Sequence, residues 1–239
     1  LRLLYRREAR LLARFEQAVA RRASRSLFVS EHEAALFRAV SGLGADRVIA
    51  IENGIDLEFL QPRPREAEDR LIVFTGQMDY PPNVEAVVNF ATRIFPQVLQ
   101  ACPDARFAIV GRNPTAAVQV LAQRPGIEVT GAVPDVRPWL ADAALVVAPL
   151  DIARGVQNKV LEAMAMARAV VASPAAAEGI DAEHGRDLIV AGPDAMASEI
   201  ASLLRDPAAA DRIGQAARSR MELRYRWDEQ LRPLQGLLA

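Results

Sequence analysis

The sequence predicts an α/β protein built on a doubly wound parallel sheet. Apolar runs such as "LIVFTG", "RFAIVG" and "AALVVAPL" alternate with segments of helical periodicity. The runs lack the polar alternation of half-exposed strands, as strands covered by helices on both faces do. Gly76, Gly111 and Gly131 each close a run, at the carboxyl ends of strands where open α/β sheets seat their ligands.

The elements follow in order. Residues 1–23 read as a helix, with Leu4, Leu11, Leu12, Phe15 and Val19 near helical spacing. "RSLFVS" is a short strand, and Ser30 is placed to cap the helix "EHEAALFRAV", with Glu33 at the reciprocal position of a capping box. "RVIAIENGID" is a strand that ends at the turn Asn53-Gly54. The charged, proline-containing "LQPRPREAEDR" reads as a linker. From Leu71 onward the chain alternates: strand to Gly76, helix over 83–100 with Pro82 near its first turn, strand to Gly111, helix over 114–123, strand "IEVTG", and a short helix holding Trp139 and Leu140. Then come the strand "AALVVAPL", the motif "ARGVQNKVLEAMAMARAVVAS", the strand "DLIVAG", and helices over 194–204, 207–222 and about 227–238.

The totals narrow the function. Apolar residues make up 51% of the 239 and charged residues 25%, with net charge -1, so no basic excess points to nucleic acid. One cysteine, Cys102, excludes an intrachain disulfide framework and suggests a reducing compartment, hence a cytoplasmic chain. No apolar run is long enough to span a membrane. Two histidines make a histidine-based metal site or triad unexpected. The first 25 residues hold eight arginines and two glutamates. That pattern suits peripheral contact with an anionic membrane face, a solvated helix surface, or contact with the rest of a larger protein.

Lys159 is the only lysine among 29 basic residues. It lies in the first turn of a helix expected to start near residues 156–158. The orphan N–H groups of that turn carry the positive end of the dipole and favour an anion. Gly155 would let a ligand approach the backbone, and Lys159 would add a point charge. Glu162, three residues on, would accept hydrogen bonds from ribose hydroxyls. By spacing alone, Lys159 and Glu162 could equally form an i,i+3 surface pair.

Several segments, in order, resemble the group 1 (family 4) glycosyltransferases. These are "VSEHEAALF", "IENGIDLEFLQP", "VFTGQMDYPPNVEAVVNF", "FAIVGRNP", "IEVTGAVPDVRPWLADAALVVAPL", "NKVLEAMAMARAVVAS" and "YRWDEQLRPL". The texture is closest to exopolysaccharide and exosortase-associated members. The resemblance implies the GT-B fold, two Rossmann-like domains facing across a cleft. It also implies a retaining transfer from a nucleotide-diphosphate sugar to a saccharide or lipid-linked acceptor, with neither cofactor nor metal. It assigns residues 1–53 to a remnant of the N-terminal acceptor domain and its crossover, 54–70 to a linker, and 71–239 to the nucleotide-sugar-binding domain with its C-terminal helices. The chain then resembles the donor half of an enzyme, expected to bind donor without turning it over.

Residue by residue, the resemblance gives Gly76, Arg112, Asn158 and Lys159 to the donor diphosphate and Glu162 to the ribose. It gives Gly131, Val133 and Asp135 to the nucleobase, and Arg154, Gly155 and Val156 to the donor sugar; no catalytic side chain is assigned. Ordinary turn chemistry is the alternative for Gly131, Val133 and Asp135, and a solvated loop arginine the alternative for Arg112. The sequence departs from the family pattern at Arg154, where a glutamate is usual. It departs again near Gln77 and Asn83, where an arginine and a lysine usually neutralise the diphosphate. Lys159 and Arg112 are expected to supply the missing charge. Two other readings of the same residues are a binding module without turnover and a sugar-nucleotide epimerase of the same fold. The second would need acid/base side chains that the cleft segments do not offer.

Overall fold

The computed structural model describes residues 2–65, 70–153 and 155–238. It divides into two units, one formed by residues 1–53 with 230–239, the other by residues 54–229.

In the smaller unit, helix α1 (Arg2–Arg22) precedes strand β1 (Ser26–Phe28), helix α2 (Glu31–Ser41) and strand β2 (Val48–Ala50). The two strands pair in parallel. Ser30 caps α2 by accepting from the Glu33 N–H at 3.2 Å, as the sequence predicts, and Gly42 ends it in the left-handed conformation. The apolar residues of α1 are largely uncovered: Leu4 is 53% exposed and Phe15 66%.

The larger unit carries six parallel strands in the order β5-β4-β3-β6-β7-β8. They are β3 (Leu71–Thr75), β4 (Arg106–Val110), β5 (Ile127–Gly131), β6 (Leu145–Ala148), β7 (Val170–Ala172) and β8 (Ile189–Val190). Every residue of β3, β6 and β7 is buried, which accounts for their unbroken apolar runs. The crossovers are α3 (Pro81–Asn89) with α4 (Phe95–Ala101), α5 (Ala116–Gln119), α6 (Arg137–Asp142), α7 (Asn158–Ala165) and α8 (Pro174–Ala177). Beyond the sheet run α9 (Pro193–Arg205), α10 (Pro207–Arg224), α11 (Trp227–Gln230) and α12 (Arg232–Leu238).

Three features differ from the sequence expectation. The helix expected over 83–100 starts at Pro81 and widens into a π-helical turn, Phe90–Ile94, before α4. Pro96 has no N–H to give the Thr92 carbonyl and its ring would crowd it, so the turn ahead of it opens. The segment expected as linker is not free over its first residues. Leu57 and Leu60 are buried in the core, and Ile55 bridges to Arg226. Arg218 of α10 donates to the carbonyls of Leu57, Leu60 and Ala165, tying the segment to the carboxyl end of α7. Residues 66–69 of that segment lie outside the described residues. The last ten residues, expected with the larger domain, group with the smaller unit.

Helix α7 packs closely on α10. A Cβ at Gly214 would overlap the Ala167 carbonyl oxygen, so a side chain larger than hydrogen would push the two helices apart. The contact lies just past the carboxyl end of the helix that carries Lys159 and Glu162.

Candidate functional site

A cavity of about 450 Å³ opens at the carboxyl ends of β3, β4 and β5, bounded on its far side by the start of α7. Its rim is built by close backbone approach. The Gly76 N–H donates to the Val110 carbonyl at 3.0 Å, and the Met78 N–H to the Arg112 carbonyl at 2.8 Å. At Gly111 there is no room for a Cβ, which would overlap the Gly76 carbonyl oxygen. The β4–β5 register shifts at Ile109/Val110, next to the rim.

Lys159 and Glu162 both line this cavity. The Lys159 ammonium donates to Asn83 Oδ1 at 2.5 Å and lies 4.4 Å from the centre of the Phe74 ring. Burial pushes its pKa down to about 8, partly offset by the Glu162 carboxylate. Burial likewise raises the Glu162 carboxyl above its usual range, against the pull of Lys159. Among the described residues the two make no ion pair, so they are not the surface pair that spacing alone allowed. Gly76 is what lets Lys159 in: a Cβ there would lie 2.8 Å from Asn83 Nδ2 and 3.3 Å from the ammonium.

Arg112 stands on the opposite lip, its Nη2 donating to Gln77 Oε1 at 3.0 Å. The neighbouring Gln77 amide, with the Asn113 amide and the Arg112 charge, holds the Asp79 carboxyl below its usual pKa. Asp79 also accepts from Asn113 at 3.1 Å. Ala132, Val133 and Val136 give the cavity an apolar side. The Thr75 hydroxyl, at the end of β3, is buried and has no hydrogen-bond partner among the described residues.

The fold therefore gathers Gly76, Arg112, Val133, Lys159 and Glu162 around one space. Asn158 is exposed at the start of α7, where Gln157 supplies no side-chain cap to the first-turn N–H groups. Gly131 and Asp135 do not line the cavity. Gly131 adopts a left-handed φ of 68° with open space about its Cα. The Asp135 carboxylate accepts from the Arg137 side chain and backbone N–H, at 2.9 Å for the latter, and so starts α6. Arg137 in turn lies 3.9 Å over the Phe59 ring. The alternative of turn chemistry fits Asp135. Gly155, at φ 65°, and Val156 are half-buried and do not line the cavity. Arg154 lies outside the described residues.

Sequence reasoning missed Thr75, Phe74, Ala132 and Val136 as site residues, and placed Asn83 and Gln77 only as lost charges. Nothing local to Asn83 reveals that it holds a lysine 76 residues away. Among the described residues no group of three His, Cys, Asp or Glu side chains could hold a metal ion.

A doubly wound parallel sheet with a cation-flanked cavity at its carboxyl edge defines the class: an α/β domain with its ligand site at the strand ends. A family model described as "Glycosyl transferases group 1" matches residues 69–206, more than half of the sequence, and the chain belongs to that family. No curated protein matches it. Among solved structures, TarM of S. aureus superposes with TM-score 0.81 at 16% identity, over 94% of this chain and 45% of TarM. Anabaena HepE, in complex with UDP and glucose, gives 0.78 at 18% over 95% of this chain and 66% of HepE. Sucrose-phosphate synthase of Thermosynechococcus elongatus gives 0.75 at 21% over 95% and 60%. The likenesses support the expected GT-B fold, and the chain spans between about half and two thirds of the length of these proteins.

Proposed function

We propose that this chain is the donor-binding half of a retaining glycosyltransferase. The enzyme would pass a sugar from a nucleotide diphosphate to a saccharide or lipid-linked acceptor in exopolysaccharide assembly. The observation that carries the reading is the convergence of Lys159 and Arg112, from α7 and from the end of β4, on a cavity that also holds the Glu162 carboxylate. Two fixed cations match the charge that develops on a departing nucleoside diphosphate, where preorganised positive charge acts most strongly. Glu162, one helical turn from Lys159, is the residue that this reading assigns to the ribose hydroxyls. The apolar side made by Ala132, Val133 and Val136 suits a base, and the Thr75 hydroxyl offers a further polar contact. Transfer itself needs an acceptor held against the donor, which proximity makes fast. Residues 1–239 alone are therefore expected to bind donor without transferring it.

A thermal-unfolding screen of uridine, guanosine, adenosine and thymidine diphosphates, their nucleosides and their sugar conjugates tests the proposal, because a ligand of the folded state raises Tm by mass action. At least one diphosphate and its sugar conjugate should raise Tm well above the matching nucleoside. Equal shifts from a nucleoside and its diphosphate, or none at millimolar ligand, would overturn it.

A further inference from the structure

We infer that Asn83 and Gln77 are positioning residues: two neutral amides that fix the cavity's two cations in place without adding negative charge beside them. The inference rests on the donor reading above.

Both amides come from the connection between β3 and the first turn of α3, and each holds one cation. Asn83 is 6% exposed. Its Nδ2 donates to the Gln77 carbonyl at 2.9 Å, which turns Oδ1 toward Lys159. An amide has one acceptor end and one donor end, so the bond to the Gln77 carbonyl dictates what the other end can hold, and a cation is what fits. Gln77 holds the second cation, its Oε1 accepting from Arg112 Nη2 at 3.0 Å. Arg112, Gln77, Asn83 and Lys159 thus form one hydrogen-bonded chain that joins the cavity's two cations.

The choice of amide matters. A carboxylate at either place would hold the cation equally well but would neutralise it, and the next anion would meet a closed ion pair. An amide accepts the hydrogen bond without adding a further negative charge beside the cation. It also orders a lysine and an arginine before the ligand arrives, so binding need not immobilise them. The two amides would thereby set the preference for a diphosphate over a bare nucleoside.

Double-mutant cycles measured by calorimetry with the best-binding nucleoside diphosphate and its nucleoside test this. Asn83→Leu should weaken the diphosphate about tenfold relative to the nucleoside, the scale of one hydrogen bond to a charged group. In a Lys159→Met background it should cause little further change, because it acts through that ammonium. Gln77→Met and Arg112→Met form the second cycle. Gln77 is exposed, so this cycle decides the matter if Asn83→Leu fails to fold. Equal losses for both ligands, or losses that simply add to those of the cation variants, would overturn the inference and leave the donor reading standing. A wild-type chain that binds nucleoside and diphosphate alike would sink the donor reading itself.

Discussion

Lys159 and Glu162 stand one turn apart on α7 and open on the same cavity, yet the ammonium is held by Asn83 rather than by the carboxylate. Each side chain is therefore left free for a different part of a ligand. Lys159→Ala should weaken a nucleoside diphosphate roughly ten- to a hundredfold, the scale of a lost charge-assisted hydrogen bond, and leave the nucleoside nearly unchanged. Glu162→Gln should weaken both, because ribose is common to them. Calorimetric titration of the two variants with both ligands checks the split; identical losses in all four titrations would contradict it.

The lysine also gives binding a pH dependence. Its pKa of about 8 lies below the ordinary 10.5, so between these values the folded chain binds fewer protons than the unfolded one. Stability therefore rises with pH across that window. A bound diphosphate works the other way, since it favours the ammonium. Diphosphate affinity should fall as pH climbs above about 8, with proton uptake on binding, while nucleoside affinity stays flat through that range. Titrations near pH 8.5 in buffers of different ionisation heat count the protons. Lys159→Met should abolish the uptake.

How much of this could be read beforehand depends on where partners lie along the chain. The parallel sheet was legible because burial on both faces of β3, β6 and β7 leaves unbroken apolar runs. Lys159 and Glu162 were legible as a pair because helix geometry alone puts them on one face. The amides that organise the site were not, since Asn83 meets Lys159 across 76 residues and Gln77 meets Arg112 across 35. The linker reading of 54–70 failed in its first part for the same reason: the clamp that holds Leu57 and Leu60 is Arg218, at the other end of the chain. Asp135 shows the reverse case, a local bond to Arg137 two residues away that competes with any role toward a ligand.

Gly76 and Gly111 sit together at the rim but should fail differently when replaced. A Cβ at Gly76 meets the Asn83 amide and the Lys159 ammonium, the ends of side chains that can move. Gly76→Ala should fold with little loss in Tm and lose the preference for diphosphate. A Cβ at Gly111 would strike the Gly76 carbonyl, part of the backbone. Gly111→Ala should lower stability by about 1–3 kcal/mol, the usual range for overpacking. Paired denaturant melts and ligand titrations separate the two, and a Gly76→Ala chain that still prefers diphosphate would show that the ammonium needs no such opening.

Gly214 tests the packing of α7 on α10. Gly214→Ala should force α10 away from the Ala167 carbonyl and destabilise by about 1–3 kcal/mol. Because α7 carries Lys159 and Glu162, the same change should weaken nucleoside and diphosphate together. A stable Gly214→Ala chain with unchanged binding would mean that α7 keeps its place without this contact.

The apolar face of α1 leads to a prediction about association. Leu4 is 53% exposed, Tyr5 68%, Leu12 57% and Phe15 66%, on a helix that also carries arginines and two glutamates. Soluble monomers rarely leave a continuous apolar surface beyond a few hundred Å² uncovered, and larger ones bind something. With no other protein present, the available surface is a second copy of the same helix. Residues 1–239 should therefore associate as concentration rises, and because burial of apolar surface drives it, salt should not dissolve the complex. Leu4→Gln, Leu11→Gln and Phe15→Gln together should yield a monomer. These residues lie outside the cavity at the sheet edge, so the triple variant should keep its preference for diphosphate over nucleoside. Sedimentation equilibrium over a hundredfold range of concentration, with a ligand titration of the same samples, measures both. A wild-type chain that stays monomeric throughout would show that the exposed face of α1 does not drive self-association.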